Sequence, residues 1–216
     1  MNWQKNARSV ALGLVGGIGA GKSFATREFV RQGALAFNAD QEAKKTYERA
    51  DVVERLREWR PDVIDDSGRV VLAKLAELVF EPSEQGAQAL ARLNAILRDP
   101  IAERFQRWRD EVAAQSHARV LVLDAPLLFE AGWDAFVDYV VYVDASETTR
   151  KRRARERGWA EDELEKRERA QTPIAEKKAR ADFIIDADRD ESNMSEQVAS
   201  VLRAIALIQE NDAIAK

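Results

Sequence analysis

The sequence has no cysteine, a single histidine and no apolar run as long as the about 20 residues that a membrane-spanning helix requires. The absence of cysteine excludes disulfides, thiolate metal sites and cysteine nucleophiles, and it favours a cytoplasmic setting. His117, the only histidine, lies in a polar stretch and is predicted to be a surface residue. The net charge of -4 and the pI near 5.3 provide no chain-wide basic surface for nucleic acid. We therefore expect a small-molecule partner, no nucleic acid and no membrane.

Short apolar runs alternate along the 216 residues with charged segments of helical periodicity. Near-continuous apolar runs are typical of buried parallel strands, so the pattern predicts an α/β fold with a parallel sheet wrapped by helices. The connection between the second and third strands is far longer than one crossover helix needs, which indicates an inserted helical subdomain. The predicted strands are residues 9–15, 34–37, 120–123, 139–143 and 183–185. The predicted helices are residues 22–31, 41–57, 71–80, 83–97, 101–114, 147–157, 162–169 and 195–209.

Glycine is concentrated at the end of the first predicted strand, where residues 13–21 contain five glycines and lead directly into Lys22 and Ser23. The spacing matches GxxxxGK[ST], a loop whose backbone N–H groups surround phosphates at the positive end of the following helix. Lys22 is then expected to contact the β and γ phosphates of a nucleoside triphosphate, and Ser23 to hold Mg²⁺. The alternative is a glycine-rich turn with an exposed lysine.

Two aspartates follow predicted strands at the edge where ligands bind in parallel sheets. Asp40 ends the FNAD stretch and is a candidate base for an acceptor hydroxyl, although position alone equally allows a helix N-cap there. Asp124 ends the apolar strand VLVLD, a pattern that places a carboxylate near Mg²⁺, and its alternative is a strand-end turn residue. No NKxD guanine signature occurs, which argues against a GTPase.

A run of basic residues follows the fourth predicted strand, where residues 150–157 read RKRRARER. A solvated helix face is the ordinary explanation of such a run, and an RNA-binding or membrane-binding surface is another. A mobile lid that brings arginines over the phosphates of a small-molecule kinase fits its position after a strand better than either of these.

These stretches together resemble the dephospho-coenzyme A kinase family over nearly the whole chain. The stretch LVGGIGAGKS resembles that family's phosphate loop, with its double glycine, and FNAD resembles its aspartate-containing second strand. The other stretches that resemble it are DDSGRVVLAKLAELVF, LNAILRDPI, DAPLLFEAGW, RGWAEDELEKRERAQ and ADFIIDA.

The resemblance implies an ATP-dependent and Mg²⁺-dependent kinase that phosphorylates the ribose 3′-hydroxyl of dephospho-coenzyme A. It implies a three-layer P-loop kinase fold with a five-stranded core at residues 1–40 and 118–216. It also implies an acceptor-binding subdomain at residues 41–117, a lid near residues 150–172, and a monomer or small homo-oligomer. The implied catalytic residues are Asp40, Lys22 and Arg157, with Arg153 and Arg155 competing for the last role. The implied ATP contacts are Gly17, Ile18, Gly19, Ala20, Gly21, Lys22, Ser23, Phe24, Arg153 and Gln171, and the metal contacts are Ser23 and Asp124. Arg167 also belongs to the lid region.

The chain departs from the family pattern at several positions. Val15 and Phe24 stand where threonine is usual, Asn38 where aspartate is usual, Asp99 where histidine is usual and Ala187 where asparagine is common. These changes leave open a reduced activity or another acceptor. Another P-loop kinase of the nucleoside or shikimate type, and a non-catalytic ATP-binding or RNA-binding module, therefore remain alternatives.

Overall fold

Five parallel strands form one sheet. The computed structural model describes residues 9–115, 120–169 and 171–214, so His117 lies outside the described residues. The strands are β1 (Val10–Gly16), β2 (Leu35–Asn38), β3 (Val120–Asp124), β4 (Tyr139–Asp144) and β5 (Phe183–Asp186). Their order is β2-β3-β1-β4-β5, and neighbouring strands run parallel to each other. The predicted α/β class with a five-stranded parallel sheet is confirmed.

Helices cover both faces of this sheet. Within the described residues they are α1 (Lys22–Arg31), α2 (Ala39–Thr46), α3 (Ala50–Trp59), α4 (Leu72–Val79), α5 (Glu84–Gln115), α6 (Glu147–Glu156), α7 (Glu161–Arg169), α8 (Ile174–Ala179) and α9 (Glu191–Ile214). Alternate β1 side chains point to opposite faces, since Ala11 and Val15 join one buried cluster whereas Leu12 and Leu14 join the other. The first cluster includes side chains of α2 to α5, and the second those of α1 and α9.

One continuous helix, α5, replaces the two helices predicted on either side of Pro100, so the predicted break is wrong. Proline has no N–H, and the carbonyl of Ile96 therefore loses its normal helical partner. Arg55 of α3 supplies the missing donor, because its guanidinium donates to the Ile96 carbonyl at 2.9 Å and to the Ala95 carbonyl at 3.1 Å. Ile96 and Ile101, both 1% exposed, hold the helix against the core on each side of the proline.

The predicted helix over residues 41–57 is also wrong, because it is divided into α2 and α3. Arg49 has an extended backbone conformation at the start of α3, and its guanidinium donates to Asp51 at 3.0 and 2.8 Å. Residues two apart do not face each other on a helix, so this pairing requires the break. The short helix α8 was not predicted at all. No helix among the described residues is long and apolar enough to cross a membrane.

Candidate active site

The glycine-rich loop joins β1 to α1 in a conformation that side chains would obstruct. Gly19 and Gly21 have φ values of 75° and 104°, in the left-handed region that favours glycine. A Cβ atom on Gly19 would lie 2.8 Å from the Arg150 carbonyl oxygen. The loop therefore needs glycine both for its conformation and for the close approach of α6, and it ends at the N-terminus of α1, where anions bind favourably.

Lys22 lies folded over this loop. Its Nζ donates to the carbonyl oxygens of Gly16 and Gly17, at 2.9 and 3.1 Å. Burial of the ammonium group, followed by the nearby charge of Lys177, lowers the pKa of Lys22 from 10.5 to about 8. An anion in the loop would stabilise the charged ammonium and would replace the two carbonyl oxygens as its partner.

Asp40 lies in the first turn of α2 but does not cap this helix. The cap of α2 is Asn38, whose Oδ1 accepts from the backbone N–H of Gln41 at 2.9 Å. The Asp40 side chain is solvent-exposed at the mouth of a cavity, yet partial desolvation and then the charge of Asp124 raise the pKa of its carboxyl. Its carboxylate is thus available for a ligand, and the helix-cap alternative for Asp40 is wrong.

Asp124 ends β3 directly beside Asn38 of β2, its partner in the parallel register. Its Oδ2 accepts from the hydroxyl of Thr26, on α1, at 3.2 Å. Burial raises the pKa of the Asp124 carboxyl, whereas the Thr26 hydrogen bond and the charge of Lys22 oppose that rise. Thr26 therefore orients this carboxylate, and the sequence reasoning had not singled out Thr26.

The arginines of residues 150–157 make different kinds of contact. Arg150 is 7% exposed, forms an ion pair with Glu168 of α7 and packs under Gly17. Arg153 donates to the carbonyl oxygens of Ala20 and Ala187 at 2.9 Å each, which joins the glycine loop to the segment after β5. Arg157 directly follows α6 and lines the same cavity as Lys22. The run is therefore not one solvated basic face.

A cavity of 340 Å³ brings most of the predicted residues together. Those that line it are Ile18, Gly19, Gly21, Lys22, Ser23, Asp40, Arg157 and Gln171. Gly17 and Gln171 line a neighbouring cavity of 410 Å³. Ala20 is buried, Phe24 packs against the core, and Arg153 binds backbone carbonyls, so these three side chains support the loop.

An apolar cavity of 200 Å³ opens on the other side of Asp40, between α2, α4 and α5. Tyr47 and Asn94 contribute polar groups to walls that are otherwise mostly apolar, with Leu75, Leu93 and Trp133 among them. Burial, and then the charge of Asp40, raises the pKa of Tyr47 to about 12, so its hydroxyl stays protonated. Asp40 therefore stands between a phosphate-binding loop and a mainly apolar pocket.

The comparisons with known proteins agree with this geometry. A family model described as dephospho-CoA kinase matches residues 10–193. The chain belongs to the dephospho-CoA kinase family. The dephospho-CoA kinase of Bdellovibrio bacteriovorus is 32% identical over 194 residues, which are 89% of this chain and 94% of the relative. TT1252 from Thermus thermophilus, a crystal structure, matches with a TM-score of 0.74 and 28% identity, covering 91% of this chain and 97% of that one.

Membership of the dephospho-CoA kinase family makes the chain a phosphotransferase of coenzyme A biosynthesis. A shikimate kinase from Acinetobacter baumannii matches with a TM-score of 0.52 at 12% identity, covering 92% of this chain and 93% of that one. At that identity the likeness concerns the fold alone. The fold is thus the P-loop kinase fold that the sequence resemblance implied.

Two aromatic residues at the candidate site, Trp159 and Phe80, were missed by the sequence reasoning. The Arg167 guanidinium lies 4.6 Å from the ring centroid of Trp159 and 5.1 Å from that of Phe80. Trp159 precedes α7, whereas Phe80 follows α4 in the connection between β2 and β3. All three residues line the 340 Å³ cavity, where a cation between two rings joins the two elements. No local pattern connects residues 80 and 159, so only the fold reveals this contact.

The departures from the family pattern have structural explanations at several positions. Val15 is 1% exposed in the core, and Phe24 packs against the opposite cluster. Asn38 replaces the usual carboxylate with an equally suitable helix cap. Ala187 contributes its backbone carbonyl to Arg153, which does not depend on its side chain. Asp99 lines a separate open groove on α5.

Proposed function

We propose that this kinase transfers the γ-phosphoryl group of ATP to the 3′-hydroxyl of the adenosine ribose in dephospho-coenzyme A, releasing coenzyme A, ADP and a proton. The observation that carries the proposal is the 340 Å³ cavity, in which Lys22, Asp40 and Arg157 face one space. Phosphoryl transfer requires mainly positioning and charge stabilisation, and this arrangement offers cations on one side and a carboxylate on the other.

The phosphate-binding role is assigned to residues 17–24. Their backbone and the N-terminus of α1 would hold the phosphates, and Lys22 would move from its two carbonyl partners to the β and γ phosphates. Arg157 would approach from the lid with Gln171, since both line the cavity. Arg153 would act by fixing the loop through Ala20.

Mg²⁺ is proposed to bind beside Ser23 and Asp124. The residues that the structure describes contain no group of three or more His, Asp or Glu side chains that could hold a metal. One hydroxyl and one carboxylate nevertheless suit Mg²⁺, which usually keeps several waters and binds substrate phosphates. When bound it would neutralise charge on the β and γ phosphates. Thr26 fixes the Asp124 carboxylate for this role through its 3.2 Å hydrogen bond.

Asp40 is proposed to accept the proton of the acceptor hydroxyl. Its carboxylate lines both the phosphate cavity and the 200 Å³ apolar cavity. An acceptor bound in the apolar cavity would therefore present a hydroxyl to Asp40 and to the γ phosphate together. This placement supports the proposal that residues 41–117 form a subdomain that binds the acceptor. The cytoplasmic setting and the oligomeric state stay predictions.

A coupled assay of ADP release tests the proposal directly. Dephospho-coenzyme A should stimulate ADP release far above the background rate of ATP hydrolysis, and the product should carry a 3′-phosphate by mass spectrometry. A panel of nucleosides and shikimate serves as the comparison. Equal or faster phosphorylation of one of these would assign the kinase to another acceptor, and a requirement for RNA would favour the nucleic-acid alternative.

Arg157 is expected to matter for turnover more than for ATP binding. Charge on the transferred group increases in the transition state, so Arg157→Ala should lower kcat by at least about tenfold and change the Kd for ATP by less than about threefold. Steady-state kinetics measure kcat, and equilibrium binding measures the Kd for ATP. Arg152→Ala is the matched control, since Arg152 is 62% exposed and pairs with Glu156. Equal effects of both substitutions would remove Arg157 from the catalytic role.

A further inference from the structure

A largely buried ion pair lies next to the lid and takes no part in the phosphoryl transfer proposed for this kinase. Lys177 of α8 is 1% exposed, and its Nζ lies 3.1 Å from Oε1 of Glu130. Glu130 belongs to the loop after β3, and its side chain is 11% exposed. We call Lys177 and Glu130 the anchor pair. A buried charge is costly unless it is paired, so the two charges depend on each other.

The anchor pair holds the end of the lid at two points. Lys177 Nζ donates to Gln171 Oε1 at 2.8 Å, and the backbone N–H of Thr172 donates to Glu130 Oε1 at 2.6 Å. Residues 171 and 172 lie between α7 and α8. Oε2 of Glu130 is buried without a hydrogen-bond partner among the described residues, which makes this carboxylate still more dependent on Lys177.

A second contact strengthens the docking of α8 on the same loop. Arg180, which follows α8, lies 3.7 Å from the ring centroid of Phe129 and donates to Asp134 at 2.7 Å. The lid helix α7 is held separately by the Arg150–Glu168 ion pair. The lid is thus anchored near α6 by Arg150 and at its other end by the anchor pair.

Gln171 connects the anchor pair to the phosphate site. It lines the 340 Å³ cavity with Lys22 and Arg157, and it also lines the 410 Å³ cavity with Lys177 and Gly17. The charge of Lys177 also acts on Lys22, whose pKa it helps to lower. Gln171, which lines the proposed phosphate site, is therefore held by a lysine that lines the neighbouring cavity.

We propose that Lys177, paired with Glu130, is a positioning residue that holds Gln171 and the C-terminal end of the lid against the phosphate site. The effect of the anchor pair on turnover rests on the proposed function. Lys177 does not touch the reacting atoms and acts through Gln171. Loss of the pair leaves the phosphate loop intact but lets the lid end move, which affects turnover more than ground-state binding of ATP.

The test uses variants that avoid an unpaired buried charge. Removing one partner alone is strongly destabilising, whereas removing both charges at similar volume is often tolerated, so the main variant is Lys177→Met with Glu130→Gln. Gln171→Ala and the triple variant complete a cycle, and Lys178→Met is the control, because Lys178 is 45% exposed on the same helix. Thermal unfolding checks that each protein is folded.

The measurements are kcat, KM for ATP and hydrogen exchange of the peptide 159–172 without nucleotide. For the main variant we expect a kcat at least about tenfold lower, a KM changed less than about threefold, and faster exchange in that peptide. Adding Gln171→Ala should lower kcat little further, since both changes act through one side chain. Lys178→Met should match the wild type.

Two results would overturn the positioning role. One is wild-type exchange of peptide 159–172 in the folded main variant. The other is a triple variant in which the kcat losses of the main variant and of Gln171→Ala multiply. That result would mean that the anchor pair does not act through Gln171. If the wild type phosphorylates no dephospho-coenzyme A, the proposed function fails, and the exchange measurement still decides whether the anchor pair holds the lid.

Discussion

Replacement of Lys22 by alanine is expected to lower turnover by at least about a hundredfold and to leave the protein at least as stable as the wild type at pH 7. The loss of rate follows from the removal of a cation that would stabilise charge on the transferred phosphoryl group. Coupled ADP release measures it. Lys45→Ala is the matched control, because Lys45 is 69% exposed and pairs with Glu42 on the surface.

The expected stability of the Lys22→Ala protein follows from the lowered pKa of Lys22 in the wild type. The folded-state pKa of about 8 lies below the ordinary 10.5, so the folded protein binds fewer protons than the unfolded chain between these values. The charged lysine therefore costs stability below pH 8, and this cost is relieved as the pH rises toward 10.5. Alanine removes the cost but also two hydrogen bonds to carbonyls. We expect a free energy of unfolding that is unchanged or higher by up to about 2 kcal/mol at pH 7.

Urea unfolding at pH 7 and pH 10 measures this difference in the free energy of unfolding. Any excess stability of the variant over the wild type should be smaller at pH 10 than at pH 7. In the wild type, kcat/KM for ATP should fall as the pH rises above about 8, where free Lys22 loses its proton. A stable Lys22→Ala protein with a near-normal rate would exclude Lys22 from phosphoryl transfer.

Much of the candidate phosphate site could be predicted because the residues proposed to form it are local in the sequence. A strand, a glycine loop, Lys22 and a helix follow one another without interruption, and each is required by the geometry of phosphate binding. Asp40 and Asp124 were predicted for a similar reason, since both follow apolar strands of a parallel sheet.

The features that were missed depend on contacts between distant residues. Pro100 indicates a helix end when it is considered alone, and only Arg55, from another helix, allows α5 to continue. The arginine run could not be divided by sequence, because the partner of Arg150 is on α7 and that of Arg153 is the glycine loop. The contact of Arg167 with Phe80 likewise joins residues that no periodicity connects.

Asn38 shows how one substitution can change the interpretation of its neighbour. The FNAD stretch allows either residue to cap α2, and both asparagine and aspartate are good caps. In the structure Asn38 takes that role with an amide oxygen, and Asp40 is left with its carboxylate at the cavity. Asn38→Asp should therefore preserve the cap, and it should raise turnover or leave it unchanged, as measured by ADP release.

Replacement of Asp40 by asparagine is expected to lower turnover by at least about a hundredfold with little change in ATP affinity. Asparagine keeps the size of the side chain but cannot take a proton from the acceptor hydroxyl, and general-base contributions are about 10²- to 10⁴-fold. Asn38 cannot compensate, because it is already an amide and caps α2. Asp62→Asn, a change at a 55% exposed aspartate, is the control.

The pH dependence distinguishes a base from a merely structural carboxylate. Desolvation, and then the charge of Asp124, raises the pKa of Asp40 above its ordinary value, so wild-type kcat/KM should fall as the pH decreases through that raised pKa. Because a raised pKa of Asp40 means that its ionisation destabilises the folded state above the ordinary pKa of aspartate, Asp40→Asn should be no less stable than the wild type at neutral pH. The acid limb should disappear from the residual activity of the variant. Normal turnover of Asp40→Asn would instead leave Asp124 as the remaining carboxylate to test, because it ends the neighbouring strand β3 and its charge already acts on Asp40.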